Sequence, residues 1–251
     1  MDNSNIITIN GLTKKFPIGD REFTALSNVT LSFTRGEFTG LVGPSGSGKT
    51  TLLNIIGSLD IPTKGSATVL GHSIKELSHS QASQLRNKSL GFIFQTYNLL
   101  PVYTVFENVE FPLLLLKTPA RERNKMVLQA LEAVGLTDKA QSRPSQLSGG
   151  ESQRVAIARA MVKSPEIVLA DEPTANLDAK NSHHILQTMV KLNREFNTTF
   201  IFASHDEKVI GYLRRKISLD DGRVVADEYI ERPVHLARME TNYGGEMPCS
   251  L

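Results

Sequence analysis

The feature that most constrains this chain is a glycine-rich segment placed between a short apolar strand and a helix. Residues 38–42 have the composition of a strand, residues 43–48 alternate glycine with small polar residues, and residues 50–59 have the composition of a helix. Glycines in such a loop let backbone N–H groups close around phosphate oxygens at a helix N-terminus. The order strand, loop, helix therefore predicts an α/β fold with a phosphate-binding site.

Residues 43–50 read Gly-Pro-Ser-Gly-Ser-Gly-Lys-Thr and match the eight-position P-loop pattern. Lys49 is expected to reach the β- and γ-phosphates, and Thr50 to ligate Mg²⁺. The alternative, a flexible Gly/Ser turn, is disfavoured by the flanking strand and helix. The P-loop thus predicts binding of ATP or GTP. Its other expected nucleotide contacts are Gly43, Ser45, Gly46, Ser47, Gly48 and Thr51.

A second cluster of candidate residues lies at the end of an apolar stretch. Residues 167–172 read Ile-Val-Leu-Ala-Asp-Glu, which places two carboxylates where α/β sheets bind their ligands, beyond the carboxyl ends of the strands. Asp171 is expected to hold Mg²⁺ through water, and Glu172 to polarise the attacking water. An acidic helix cap would account for one acid, but not for the pair followed by Pro173. The pair predicts nucleotide hydrolysis.

Composition narrows the class of protein further. The chain has 251 residues, 28 Lys+Arg against 26 Asp+Glu and 40% hydrophobic residues, which favours a globular protein without a polyelectrolyte partner. Residues 111–116 form the densest apolar run, far short of the roughly 20 residues of a membrane span, and residues 1–10 lack the pattern of a secretory signal. We therefore expect a cytoplasmic location. Cys249 is the only cysteine, so neither an intrachain disulfide nor a cysteine-built metal site is expected.

The patterning predicts a nucleotide-binding core interrupted by helices. Residues 6–9 and 29–33 read as strands of an antiparallel layer, separated by a loop around residues 17–20. Between residues 104 and 163 the strand signals give way to helical ones. For residues 228–251 we expect poor order, with a docking or autoregulatory role as the alternative. The predicted units are an α/β core over 1–90 and 165–227, a helical subdomain over 91–164 and the extension over 228–251.

A third motif decides among the nucleotide hydrolases. Residues 147–151 read Leu-Ser-Gly-Gly-Glu and are followed by Gln153 and Arg154, which resembles the signature motif of ABC ATPases. Ser148, Gly149 and Gly150 at a helix start would form a second anion-binding N-terminus, although plain helix capping by Ser148 is the alternative. The resemblance implies that two copies pack head to tail, each signature contacting the nucleotide on the partner's P-loop.

The remaining ABC elements follow in family order. Gln95, after a predicted strand over 90–94, is similar to the Q-loop glutamine that senses Mg²⁺ and the attacking water. Asp178 ends a stretch similar to the D-loop at the dimer interface, His205 resembles the switch histidine that contacts the γ-phosphate, and Phe16 stands where an aromatic stacks on adenine. A helix cap at Asp178 and a core position for Phe16 are the alternatives. The implied catalytic set is Lys49, Gln95, Glu172 and His205.

The residues of several further stretches resemble those of the MacB/LolD branch, whose ATPases drive membrane subunits in lipoprotein release, macrolide or peptide export and related envelope work. The matching stretches are residues 43–54, 59–65, 91–95, 98–101, 107–109 and 173–178. Ala175 stands where glycine is frequent, and Glu151 where glutamine is frequent. The resemblance implies a P-loop NTPase (RecA-like) core with an antiparallel β layer and an inserted helical subdomain, the ABC ATPase fold.

The resemblance also implies partners. We expect MgATP to drive a homodimer, or a heterodimer with a related ATPase, and membrane permease subunits to dock near Tyr97 to Phe111, placing the chain at the cytoplasmic face of the inner membrane. A satellite core over the same residues is the alternative use of their apolar side chains. An importer ATPase, and a soluble ABC ATPase acting on nucleic acid or ribosomes, are the rival classes. The single cassette without a heptad run disfavours the latter, so no nucleic acid is expected.

Overall fold

The computed structural model describes residues 5–231 and 233–235, and these form an α/β structure. The strands of the described residues are β1 (Asn5–Ile18), β2 (Arg21–Thr34), β3 (Phe38–Val42), β4 (Lys64–Val69), β5 (His72–Ser73), β6 (Leu90–Ile93), β7 (Ile167–Asp171), β8 (Thr199–Ser204), β9 (Arg215–Asp220) and β10 (Arg223–Tyr229). The α-helices are α1 (Lys49–Ile56), α2 (His79–Ser89), α3 (Val105–Leu115), α4 (Ala120–Ala133), α5 (Gly149–Met161), α6 (Ala179–Phe196) and α7 (Glu207–Ile210).

A six-stranded sheet carries the predicted site. Its order is β10-β9-β3-β8-β7-β6, with parallel pairing from β9 to β6 and antiparallel pairing only between β9 and β10. The three central strands β3, β8 and β7 are buried almost throughout. Since their carboxyl ends meet at one edge, the segments that follow β3, β7 and β8 are brought together there.

The antiparallel layer has the order β2-β1-β4-β5 and longer strands than the sequence predicts. The loop expected around residues 17–20 is present but shorter: Gly19 and Asp20 form the turn, while β1 continues to Ile18, with Pro17 opposite Glu22 of β2. The ladder of β1 with β4 ends at Thr13 opposite Lys64, so this end of β1 has a neighbour on one side only. Proline is tolerated where one edge of a strand needs no partner.

Helices α3, α4 and α5 pack together as the expected helical subdomain. Thr104 and Glu107 form a capping box at the start of α3, and Gly135 follows α4 with a φ of 66°. The buried side chains shared by the three helices include Val109, Leu131 and Val155. The predicted boundary at residue 91 cuts β6, which pairs with β7 in the main sheet, so the helical unit starts after this strand.

The C-terminal hairpin and the residues after it differ from the expected division at 228. β10 continues to Tyr229, and the Ile230 N–H donates to the Arg214 carbonyl at 2.9 Å. Pro233 is buried, and the His235 ring lies 4.9 Å from that of Tyr212. Ile230, Pro233 and His235 therefore pack on the core, whereas Tyr229 and Val234 are exposed. Residue 232 and residues 236–251, to which the prediction of poor order also applied, lie outside the described residues.

Two apolar cores flank the main sheet. One lies between the sheet, α6 and the helical subdomain, and the other between the sheet, α1 and the antiparallel layer. The rings of Phe38, Phe200 and Phe202 pack together in the first core, with centroids 4.6 to 6.1 Å apart. Within the described ranges, no helix is both long and apolar enough to span a bilayer.

Candidate active site

The P-loop connects β3 to α1, and its backbone excludes side chains at two glycines. A Cβ on Gly43 would lie 2.1 Å from the Leu219 carbonyl oxygen, and one on Gly48 would lie 2.6 Å from the Ala25 carbonyl oxygen. Both glycines have positive φ. Ser47 Oγ is buried without a hydrogen-bond partner in the described structure. This narrow, polar loop at a helix N-terminus fits a phosphate group.

The Lys49 ammonium is hydrogen-bonded to the backbone of this loop. Its Nζ donates to the carbonyl oxygens of Gly43 and Pro44 at 2.7 and 2.8 Å. Burial lowers the pKa of Lys49, while the carboxylates of Glu172 and Asp171 oppose the decrease. Lys49 is thus a buried cation, and its ammonium donates hydrogen bonds to the same loop that would bind phosphate.

Thr50 and Asp171, predicted separately as metal ligands, are in direct contact. Thr50 Oγ1 lies 3.1 and 3.0 Å from the two carboxylate oxygens of Asp171. Burial raises the pKa of Asp171, opposed by the Thr50 hydrogen bond and reinforced by the Glu172 charge. A hydroxyl and a carboxylate are oxygen ligands of the kind that Mg²⁺ takes together with phosphate oxygens and water. The donor set therefore fits Mg²⁺, with the remaining ligands coming from nucleotide and solvent.

Glu172 is fixed by two neighbours at the end of β8. Its Oε1 lies 2.7 Å from His205 Nδ1, and its Oε2 accepts a hydrogen bond from Ser204 Oγ at 3.0 Å. Glu172 itself has a φ of 46°, a left-handed conformation uncommon for a residue of this type. His205 is largely exposed, whereas the Glu172 side chain is largely buried. The carboxylate is thus held in one orientation beside an open cavity of about 460 Å³.

The signature residues start helix α5. Ser148 and Glu151 form a capping box: Ser148 Oγ accepts from the Glu151 N–H at 3.3 Å, and Glu151 Oε2 accepts from the Ser148 N–H at 2.8 Å. Hydrogen bonds to its carboxylate from the backbone N–H and the side chain of Ser148 lower the pKa of Glu151. The capping role weighed for Ser148 is therefore present. A Cβ on Gly149 would meet Tyr97 Oη at 3.1 Å, and one on Gly150 would meet Asn181 Oδ1 at 2.8 Å.

Gln95 and Asp178 lie in the segments that follow β6 and β7, respectively. Asp178 caps α6 by accepting from the Asn181 N–H at 2.8 Å, as its alternative interpretation expected. The hydrogen bonds from the backbone and the side chain of Asn181 lower the pKa of Asp178. Gln95 is exposed after β6, and its carbonyl accepts from Asn176 Nδ2 at 2.9 Å. The segments after β6 and β7 are therefore joined directly.

Comparison with known proteins agrees with this arrangement. The family model described as ABC transporter matches residues 26–175, more than half of the chain. The chain belongs to the ABC transporter family. The structure accordingly has the ABC ATPase fold, and the cassette is a nucleotide-binding ATPase.

Curated relatives of this ABC cassette include macrolide export ATP-binding/permease proteins MacB of Burkholderia thailandensis and Burkholderia pseudomallei. Each is 43% identical over 222 residues, which cover 88% of this chain and 34% of the relative. The chain therefore spans about a third of the length of these relatives.

Two solved structures match over nearly their whole length, at 98% of their chains and 89% of this one. One is the dimeric ATP-binding cassette MJ0796 in a post-hydrolysis state bound to ADP and Pi, with a TM-score of 0.82 and 41% identity. The other is a dimeric structure of MJ0796 described as a bacterial ABC transporter cassette, with the same TM-score and 42% identity.

Two predicted regions of the ABC cassette lie outside this cluster. Phe16 is half-buried, belongs to neither core, and has Lys14 Nζ 4.8 Å above its ring, so the alternative of a core phenylalanine is wrong. In the expected docking stretch, Val102 is 72% and Tyr103 38% exposed, whereas Leu99 packs partly against the core. The satellite-core alternative thus holds for Leu99 and not for Val102.

Sequence reasoning missed residues that hold the predicted ones in place. Ser204 directly precedes the predicted His205 in the sequence, and this adjacency is a signal that could have identified it. Asn176, within the D-loop stretch, was not assigned the contact it makes with Gln95. The contact of Arg159 with Tyr97 joins residues 62 positions apart, and no local pattern indicates it.

Proposed function

We propose that the chain is the ATP-hydrolysing subunit of a MacB/LolD-like transport system, in which two copies bind two MgATP head to tail and drive a membrane permease. The observation that carries the chemistry is the Glu172 carboxylate, oriented by His205 and Ser204 next to the Thr50–Asp171 pair. The 43% identity to the MacB proteins supports the branch.

In this proposal each predicted residue has a distinct task. The P-loop N–H groups and Lys49 bind the β- and γ-phosphates, with Phe16 against the adenine. Thr50 and Asp171 hold Mg²⁺, which neutralises charge on the phosphates. Glu172 orients and deprotonates the attacking water, while His205 both fixes Glu172 and faces the γ-phosphate. Gln95 contacts Mg²⁺ and the water.

The remaining assigned residues act in the dimer. Ser148, Gly149, Gly150 and Asp178 of one copy would complete the site on the P-loop of the other, as the dimeric state of MJ0796 supports. Binding of ATP closes the dimer and hydrolysis reopens it, so the difference in stability between the two states becomes work on the permease. The exposed residues Val102 and Tyr103 mark the expected permease contact, at the cytoplasmic face of the inner membrane.

The test is affinity capture from solubilised membranes with the tagged Glu172→Gln chain and MgATP, followed by mass spectrometry. The closed dimer should retain its partner longest, and a permease with few membrane spans and a large extracytoplasmic domain is the expected product. The matched control is Lys49→Ala, which should not bind nucleotide and should recover little permease. Recovery of only ribosomal or nucleic-acid-bound proteins would place the chain in the soluble class and overturn the transport assignment.

A further inference from the structure

Arg159, near the end of helix α5, makes an interaction that the proposed mechanism does not use. One guanidinium nitrogen donates to the Asn98 carbonyl at 2.5 Å and the other to the Tyr97 carbonyl at 2.6 Å. Among the described residues, no carboxylate forms an ion pair with Arg159. The two carbonyl oxygens are thus its polar partners, and the planar guanidinium is suited to holding both at once.

These carbonyls belong to two residues with an uncommon backbone conformation. Tyr97 and Asn98 have φ values of 59° and 48°, two consecutive left-handed residues other than glycine. Asparagine tolerates this conformation better than tyrosine does. Such conformations persist where the surrounding structure imposes them, and they concentrate at functional sites. Arg159 supplies two hydrogen bonds at the residues concerned.

Gln95 lies within a turn that ends at Tyr97, one of the two residues whose carbonyls Arg159 holds. The Tyr97 N–H donates to the Phe94 carbonyl at 3.1 Å, so Gln95 and Thr96 form the centre of a four-residue turn. Asn176 Nδ2 holds the Gln95 carbonyl on the other side at 2.9 Å. The backbone of Gln95 is therefore fixed at its own carbonyl and at the exit of its turn.

We propose that Arg159 is a positioning residue for Gln95, which fixes the turn from the signature helix so that the glutamine side chain meets Mg²⁺ and the attacking water. This proposal rests on the role assigned to Gln95 above. Arg159 contacts neither nucleotide nor metal. Its loss should lower the rate of hydrolysis and leave the binding of ATP by the P-loop unchanged.

Lys163 provides a matched control two residues beyond the same helix. It is buried to a similar degree, and its Nζ donates to the carbonyl oxygens of Arg86 and Asn87 at 2.7 Å each. Those carbonyls belong to α2, away from Gln95. Replacement of Lys163 therefore removes an equivalent cation without disturbing the turn.

The experiment measures kcat at saturating MgATP and the affinity for ATP, using the full chain at concentrations that saturate dimerisation. The variants are Arg159→Met, Lys163→Met, Gln95→Ala and the double variant Gln95→Ala with Arg159→Met. Arg159→Met should reduce kcat roughly 10- to 100-fold, the scale of a small displacement of a reacting group, with ATP affinity within about twofold. Lys163→Met should keep kcat within about twofold. If Arg159→Met fails to fold, Arg159→Lys, which lacks the planar fork, takes its place.

The double variant separates the two hypotheses. If Arg159 acts through Gln95, the double variant should have the kcat of Gln95→Ala, because the positioned group is already gone. A double variant slower than Gln95→Ala by the full factor of Arg159→Met would overturn the positioning role and leave the role of Gln95 intact. An unchanged kcat in Gln95→Ala would instead overturn the assigned role of Gln95, and the positioning proposal with it.

Discussion

At the scale of single residues, the two adjacent acids at the end of β7 differ in their surroundings. Asp171 lies against Thr50 and has a pKa raised by burial. Glu172 is held by His205 and Ser204 beside the cavity. This difference supports the two proposed roles, a metal ligand for Asp171 and a base for Glu172, as paired titratable groups in different environments often have separate tasks.

Asp171→Asn is expected to abolish hydrolysis and to stabilise the fold at neutral pH. A raised pKa means that the folded chain binds the proton more tightly than the unfolded chain, so ionisation of Asp171 costs stability at pH above both pKa values. An asparagine removes that cost and can still accept the Thr50 hydrogen bond. Thermal melts should show a higher Tm at pH 7, with the gain shrinking as the pH falls towards about 3.9, the pKa of an unfolded aspartate. A lower Tm at pH 7 would contradict this.

At the scale of elements, buried cations connect the end of α5 to its neighbours. Lys163 donates to the last carbonyls of α2, and burial lowers its pKa to about 8. Between pH 8 and 10.5 the unfolded chain therefore binds more protons here than the folded chain does. Below about pH 8, the buried charge of Lys163 therefore lowers the free energy of unfolding. This cost decreases as the pH rises through that value, so the free energy of unfolding increases.

We predict that this rise is absent in Lys163→Met. Between pH 7 and 9 the free energy of unfolding of the unaltered chain should increase by about 1 kcal/mol relative to the variant, as follows from a displaced lysine titration. Denaturant titrations of both chains at several pH values measure the difference. Parallel pH profiles would show that Lys163 titrates normally.

The segment after β10 should also contribute to stability. Ile230 packs against the core, Pro233 is buried, and the His235 ring lies 4.8 Å from that of His183 in α6. A chain ending at Tyr229 should be less stable than one ending at His235 by about 1–3 kcal/mol, the scale of burying one or two apolar side chains. Chemical denaturation of the two truncated chains compares them directly, and equal stability would show that these contacts contribute nothing.

Elements defined by local signals could be predicted from the sequence, and those defined by distant contacts could not. Thr104 with Glu107 and Gly135 mark helix ends that depend only on neighbouring residues, and the helical stretch predicted between residues 104 and 163 contains α3, α4 and α5. The length of β1 depends on pairing with β2, which overrides the turn signal of Pro17. The contact of Arg159 with the turn around Gln95 also joins distant residues, so local sequence signals do not predict it.

At the scale of the whole molecule, the order of motifs predicts the family, and the sheet topology explains why the motifs meet. The Thr50–Asp171 contact joins residues 121 positions apart because β3 and β7 both flank β8 in the sheet. The signature lies on α5, with contacts to Tyr97 and Asn181. In the proposed mechanism a second copy brings a signature to each P-loop, and this requirement is the central claim of the account.

Light scattering of the Glu172→Gln chain with and without MgATP tests that claim most directly, with ATP turnover measured on the same samples. In the proposed mechanism the variant lacks the group that activates water but keeps the P-loop and the Thr50–Asp171 pair. It should therefore bind ATP and form a stable dimer with two nucleotides. Its kcat should fall at least 100-fold, in line with the loss of a general base. A chain that binds MgATP and stays monomeric, or that hydrolyses ATP at the unaltered rate, would contradict the account.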